Sequence, residues 1–302
     1  MADEVNPSPF RRRWRRAPDE ENKMANLKMN FPGGKQKALT LSYDDGVEQD
    51  KKLISIMVKY GLKGTFNLNS GCYPPEDITY KPGTIHRRMP ESEVTKLYTA
   101  NGMEVAVHGL THPSLPELPD NRAMYEIIED RRRLENQFGV LVRGAAYPFG
   151  SFNDKVVEIL RDAGICYCRT VISSHNFYLP NDWLRLPATC HHDDPELMNL
   201  AKRFVELDDM WGNPYMFYLW GHAYEFEEHD NWEVIENFAK TISGKDDIWY
   251  ATNIEIYDYI QAFKALRFNV EMTECYNPTD ITVWFNYDGR KASVESGKKI
   301  QF

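Results

Sequence analysis

Cysteine is scarce, with five in 302 residues. Cys72, Cys166, Cys168, Cys190 and Cys275 are scattered, which excludes a disulfide framework. Cys166 and Cys168 alternate with Tyr167 in an apolar run and read as buried thiols rather than metal ligands. Long hydrophobic runs are missing. Nothing approaches the roughly 20 apolar residues of a membrane helix, and the strongest stretch, Tyr215 to Trp220, suits a buried strand. An excess of positive charge is missing too. The net charge is −9, so a general nucleic-acid binder is not expected. The N-terminus shows no apolar signal core, which makes the reducing cytosol the default compartment. Apolar residues, at 42%, and aromatics, at 13%, are plentiful enough to exclude a disordered chain. The length allows a sizeable core.

Residues 1–35 read as an N-terminal arm. It carries a basic cluster, Arg11-Arg12-Arg13-Trp14-Arg15-Arg16, between Pro- and Glu-rich flanks. A flexible arm is the reading preferred over an anchor for an acidic partner.

From residue 36 to 265 strand and helix signals alternate. Strands are expected at 38–43, 63–68, 103–107, 142–146, 165–170, 184–188, 215–220 and 248–252. Helical patterns lie between and after them: around Leu53 to Val58, then at 91–100, 121–138, 152–163, 195–210, 232–242 and 254–265. Repeated strand-then-helix units imply parallel strands with helical crossovers. About eight of them predict a distorted (β/α) barrel. Residues 266–302 change character: alternating apolar and polar residues around an Asp288-Gly289 turn predict a small antiparallel β element.

Function in such barrels gathers at the C-terminal ends of the strands. The polar residues found there are Asp44 and Asp45, His108 and His112, the Tyr147-Pro148-Phe149-Gly150 turn, and His222. Each alone is weak: Asp-Asp-Gly is usually a turn, and His222 after an apolar strand can be a satisfied core histidine. Pro113 biases His112 towards extended geometry, so the histidine pair reads as part of a structured turn. Together, two imidazoles and one carboxylate make a three-ligand site that leaves a metal position open. The second carboxylate is then free to act as a base.

These fragments resemble the polysaccharide deacetylase family, the NodB-homology domains of carbohydrate esterase family four. The residues that carry the resemblance are Leu41-Ser42-Tyr43-Asp44-Asp45-Gly46, His108-Gly109-Leu110-Thr111-His112, Tyr147-Pro148-Phe149-Gly150-Ser151-Phe152-Asn153 and Leu219-Trp220-Gly221-His222, in the family's order. The resemblance implies a divalent metal, zinc foremost with cobalt, nickel or manganese as alternatives. Asp45, His108 and His112 would be its ligands, Asp44 the base, His222 the general acid, and the backbone near Phe149 an oxyanion donor.

Three departures stand out. Ala146 occupies the position where the family usually has an arginine, so the guanidinium that orients Asp44 is expected from Arg169. Tyr43 replaces a common phenylalanine. Asp182-Trp183 matches only partly the acidic motif that tunes the catalytic histidine. Tyr147, Trp220, Tyr224, His191 and His192 are candidate substrate contacts.

The expected activity is removal of acetyl groups from an N-acetylated sugar or polysaccharide. O-acetyl ester hydrolysis on xylan-like glycans is the near alternative. A catalytically silent carbohydrate-binding barrel is another, and a two-His-one-carboxylate iron oxygenase is disfavoured because a spare Asp has no task there.

Overall fold

The computed structural model describes residues 26–302, so the basic cluster at 11–16 lies outside the described residues. In chain order the elements are β1 (Leu27–Asn30), β2 (Lys37–Asp44), α1 (Asp50–Lys59), β3 (Gly64–Leu68), α2 (Glu91–Ala100), β4 (Glu104–Val107), α3 (Asp120–Phe138) and β5 (Gly144–Ala146). They continue with α4 (Asp154–Asp162), β6 (Tyr167–Ser173), β7 (Leu186–Ala188), β8 (Cys190–His191), α5 (Leu197–Glu206), β9 (Tyr215–Gly221), α6 (Ala223–Glu228) and α7 (Glu233–Ile242). The last are β10 (Ile248–Tyr250), α8 (Asn253–Lys264), β11 (Arg267–Phe268), β12 (Glu274–Tyr276), β13 (Val283–Tyr287), β14 (Arg290–Val294) and β15 (Lys299–Gln301).

Local chemistry sets the boundaries. Asn153 opens α4 by accepting the Val156 N–H at 2.9 Å, so this helix begins after Phe152 rather than on it. Thr252 and Glu255 form a capping box on α8. Gly139, at φ 68°, ends α3 in the left-handed conformation that glycine adopts without a Cβ clash.

The expected distorted (β/α) barrel is present. Nine parallel strands lie in one sheet, in the order β7-β6-β5-β4-β3-β2-β9-β8, with β10 also on β2. β2 is buried along its whole length, as the central strand of a two-face-covered sheet must be. Along one edge it meets β10 through Leu39 and then β3 from Leu41. The barrel closes through one continuous stretch. β7 pairs with β6, Thr189 donates its N–H to Tyr218 O at 2.8 Å, and β8 then pairs with β9. β8 and α6 have no counterpart in the sequence-based expectation; two and six residues are too short for a periodic signal.

The C-terminal segment forms two small antiparallel sheets, β1-β13-β14 and β11-β12-β15. Asp288 (φ 47°) and Gly289 (φ 81°) link β13 to β14, the double positive φ of a tight hairpin turn. Part of the segment expected as an arm is a strand here: Leu27 to Asn30 pair with Tyr287 to Trp284. Its apolar residues explain this, since Met29 and Phe31 are buried. Tyr259 of α8 ties this layer to the barrel, donating its O–H to Asn30 O (2.7 Å) and accepting the Trp284 N–H (2.8 Å).

Candidate active site

Because the barrel strands run parallel, their C-terminal ends share one rim. β2 ends on Asp44, β4 runs into His108 and β9 runs into His222. The turn after β2 is bent sharply: Asp45 has φ 82° and Gly46 φ 66°. That bend lets two adjacent carboxylates face one space, which a regular strand would forbid. The His108–His112 stretch is also irregular, with Gly109 at φ 76° and His112 at φ 57°. Asp130 of α3 accepts the Ser70 N–H (2.8 Å) and the His108 N–H (3.1 Å), and Glu126 accepts the Thr111 N–H (2.8 Å). Asn69 donates to Gly109 O at 2.7 Å. Side chains of a neighbouring helix and strand end thus hold this loop.

Asp44 is the centre of the site. It is 2% exposed. Its Oδ2 accepts from Arg169 Nη2, and lies 3.7 Å from both His108 Nε2 and His222 Nε2. Its Oδ1 accepts from Asn67 Nδ2 at 2.8 Å. Burial alone would raise its pKa, but Arg169, then His108 and His222, hold it below the ordinary carboxylate value. The expected source of the guanidinium, Arg169, therefore reaches Asp44 from β6, four strands away in the sheet order. Its own charge rests over the Trp220 ring, 4.2 Å from the centroid.

One ligand atom each from Asp45, His108 and His112 fall within 4.8 Å of one another. Asp45 Oδ1 accepts from Arg88 Nη2 at 2.7 Å, and its Oδ2 is 3.1 Å from His86 Nε2. Against the raising effect of burial, these two partners keep the carboxyl ionised, well below its usual pKa. His108 Nδ1 lies 2.9 Å from Ala146 O, a carbonyl that can only accept. Nδ1 is therefore the protonated nitrogen, and the lone pair sits on Nε2, towards the cluster. Burial lowers the His108 pKa, and burial with the neighbouring His108 pushes His112 down to about 4. An ionised carboxylate and two neutral imidazoles are the protonation states a divalent cation requires, so these residues fit one. Imidazole and carboxylate donors suit several first-row ions.

His222 is oriented from behind. Its Nδ1 is 3.1 Å from Glu225 Oε1, and its backbone N–H donates to Glu225 Oε2 at 3.2 Å. Burial would lower its pKa; the Glu225 hydrogen bond and the Asp44 charge outweigh that, and the net direction is upward. Phe149 (φ 58°) is 70% exposed, with its ring edge-on to His112 at 4.4 Å. The turn around it is closed by N–H groups of Gly150, to Tyr147 O, and Ser151, to Pro148 O.

The five candidate substrate contacts divide. Tyr224 is half-buried, with its ring 5.0 Å from His86 and 5.2 Å from His222, and stands at the rim. His191 is partly exposed and lies 3.2 Å from Glu225. Tyr147 points inward: it is buried, stacks on Phe152 and donates its O–H to Leu184 O at 2.7 Å. Trp220 is nearly buried beneath Arg169, and His192 is packed between Tyr43 and Phe226. These three are supports of the site, not surfaces for a ligand. Periodicity could not tell the two cases apart, because an aromatic at a strand end can turn to either face. Asp182 caps the turn at Trp183–Arg185 and pairs with Arg185 at 2.5 Å. The carboxylate on His222 is instead Glu225, legible in the sequence as a glutamate three residues beyond the histidine where a helix starts. His86, Arg88 and Asn67 carried no such signal.

Fold and cluster together define a parallel (β/α) barrel protein with a carboxylate–imidazole centre on its rim. Residues 32–168 match the model of the family described as polysaccharide deacetylase. The matched segment includes Asp44, Asp45, His108, His112 and Phe149. Among solved structures, a putative polysaccharide deacetylase from Mycobacterium smegmatis is 18% identical, with a TM-score of 0.55 over 78% of this chain and 94% of that one. A family 4 carbohydrate esterase from Streptomyces lividans, in complex with acetate, is 15% identical, with a TM-score of 0.48 over 72% and 93%. A family 4 pseudoenzyme from Bacillus anthracis is 19% identical, with a TM-score of 0.45 over 76% and 68%. The likeness to the Mycobacterium smegmatis structure is one of fold. No curated protein matches the chain. Among the described residues no helix is long and apolar enough to cross a membrane.

Proposed function

We propose that this chain is a metal-dependent hydrolase that removes acetyl groups from an N-acetylated sugar or polysaccharide. One observation carries the reading: a single oxygen of ionised Asp44 stands 3.7 Å from His108, a ligand candidate, and 3.7 Å from His222. A base placed between a cation site and an acid is the arrangement needed to activate water and then release an amine.

A divalent cation held by Asp45, His108 and His112 would supply Lewis acidity and lower the pKa of a bound water. The chain's own residues do the rest. Asp44, kept ionised by Arg169, takes the proton of the attacking water. The Phe149 N–H, at the exposed turn beside His112, donates to the oxygen on which charge develops. A donor of this kind contributes about 3–4 kcal/mol. His222 holds its proton at Nε2, with Nδ1 anchored on Glu225, and passes it to the leaving nitrogen. An amine leaves poorly unless protonated, so the upward direction of the His222 pKa serves this step. Tyr224 and Phe149 offer ring faces at the rim for a sugar.

The test is acetate release from N-acetylated chitooligosaccharides and from acetylated xylan, after chelation and after restoring Zn2+, Co2+ or Mn2+. Metal-dependent acetate from the chitooligosaccharides is expected. Release from xylan alone would make the chain an O-acetyl esterase, and none from either substrate would refute the hydrolase reading.

A further inference from the structure

A second cluster of donor atoms lies behind His222. His191, His192, Asp193 and Glu225 each offer one ligand atom, and all fall within 4.8 Å of one another. His192 Nε2 is 3.1 Å from Glu225 Oε2 and 3.4 Å from Asp193 Oδ1. A cation bound tetrahedrally at about 2.0–2.1 Å separates its ligand atoms by roughly 3.3 Å. These separations are those of neighbours around an ion.

Hydrogen bonding does not account for His192. Its side chain is fully buried, and neither ring nitrogen has a hydrogen-bond partner of good geometry, the nearest oxygen being Glu225 Oε2 at 3.1 Å. A buried imidazole without partners is unfavourable, and a bond to Nε2 would remove that cost. The ring is held in place. It stacks on Phe226 (4.1 Å) and Tyr43 (5.8 Å), and its Nδ1 edge sits so close to Gly221 that a Cβ there would come within 2.0 Å. Only Nε2 is left facing the two carboxylates. His191 plays a different part: its Nδ1 accepts the Asp193 N–H at 3.2 Å, which puts its proton on Nε2, 3.2 Å from Glu225 Oε2.

We propose that His192, Asp193 and Glu225 form a second divalent-cation site, with His191 orienting Glu225. One imidazole and two carboxylates suit borderline first-row ions such as Zn2+ or Mn2+. Glu225 touches His222 Nδ1 through its other oxygen, so a cation here would fix the ring of His222 from the side opposite Asp44.

The experiment is metal stoichiometry by elemental analysis on the full chain, stripped with chelator and titrated with Zn2+ alone. The wild type is expected to bind two ions, and His112→Ala, Asp193→Asn and His192→Gln one each. The His112→Ala/Asp193→Asn double variant should bind none. Asp193 is largely at the surface, so its variant keeps the test valid if substitution at buried His192 prevents folding. One ion in the wild type with none in His112→Ala would overturn the proposal, as would two ions retained in Asp193→Asn and His192→Gln. Ion counts are independent of acetate release, so loss of the deacetylase reading would leave this result standing.

Discussion

Arg169→Met isolates what the buried guanidinium does. Arg169 and Asp44 are both almost fully buried, at 1% and 2% side-chain exposure, so their pairing is little screened by solvent. Removing one partner of such a pair costs about 3–5 kcal/mol. His222 lies 3.7 Å from the same Asp44 oxygen and its Nε2 proton shares that charge, which places the cost near the lower end, about 3 kcal/mol. Methionine fills the apolar space against Trp220, so little cavity is added. At a few degrees per kcal/mol, the midpoint of thermal unfolding should fall by on the order of 10 °C. The pH dependence is the sharper readout. An adjacent cation lowers a carboxylate pKa by about 1–3 units, so its loss raises Asp44 by that amount. A base works only when ionised, and the acid limb of kcat/KM should therefore move up in pH by the same interval, with activity partly recovered at alkaline pH. Stability follows the same sign. A depressed folded pKa stabilises above the unfolded carboxylate value of about 3.9 and is lost as pH falls through the folded value. In the variant that loss begins at higher pH. An unmoved acid limb with an unmoved midpoint would refute the assignment of Arg169 to Asp44.

Asp44→Asn should reduce turnover by about 10²–10⁴-fold while isothermal titration still shows metal binding; full activity would remove Asp44 from the base role. His112→Ala should weaken metal affinity beyond the roughly 10–100-fold typical of supporting residues, measured by the same titration, and an unchanged affinity would exclude it as a ligand. Gly221→Ala drives a Cβ to 2.0 Å from the His192 ring, so urea unfolding should show a loss of at least about 1–3 kcal/mol. Burial pushes Asp50 up to about 8 despite bonds from Tyr98 and Val47. Its contribution is complete below the unfolded value near 4 and is lost as pH rises towards 8. Asp50→Asn should therefore flatten the urea midpoint between pH 5 and pH 8, and an equally steep decline in the variant would count against that carboxyl.

Much of the fold was legible because each crossover leaves a local record. The helix over 91–100 and the strand ending at Asp44 were expected where they lie, since periodicity and a following turn mark both. The small closure strand β8 and the pairing of β1 with β13 were not. The first is too short to carry a pattern, and the second joins residues more than 250 positions apart.

The order of residues along the chain decided that Asp44, Asp45, His108, Phe149 and His222 would stand on one rim, because parallel strands joined by helices all end on the same side. Tertiary packing alone decided which groups face one another there. Arg169 on Asp44, and Arg88 and His86 on Asp45, depend on the curl of the barrel. So does the inward turn of Tyr147, Trp220 and His192. A side chain's partners across a sheet are set by strand neighbours and rotamers that no short stretch of sequence encodes.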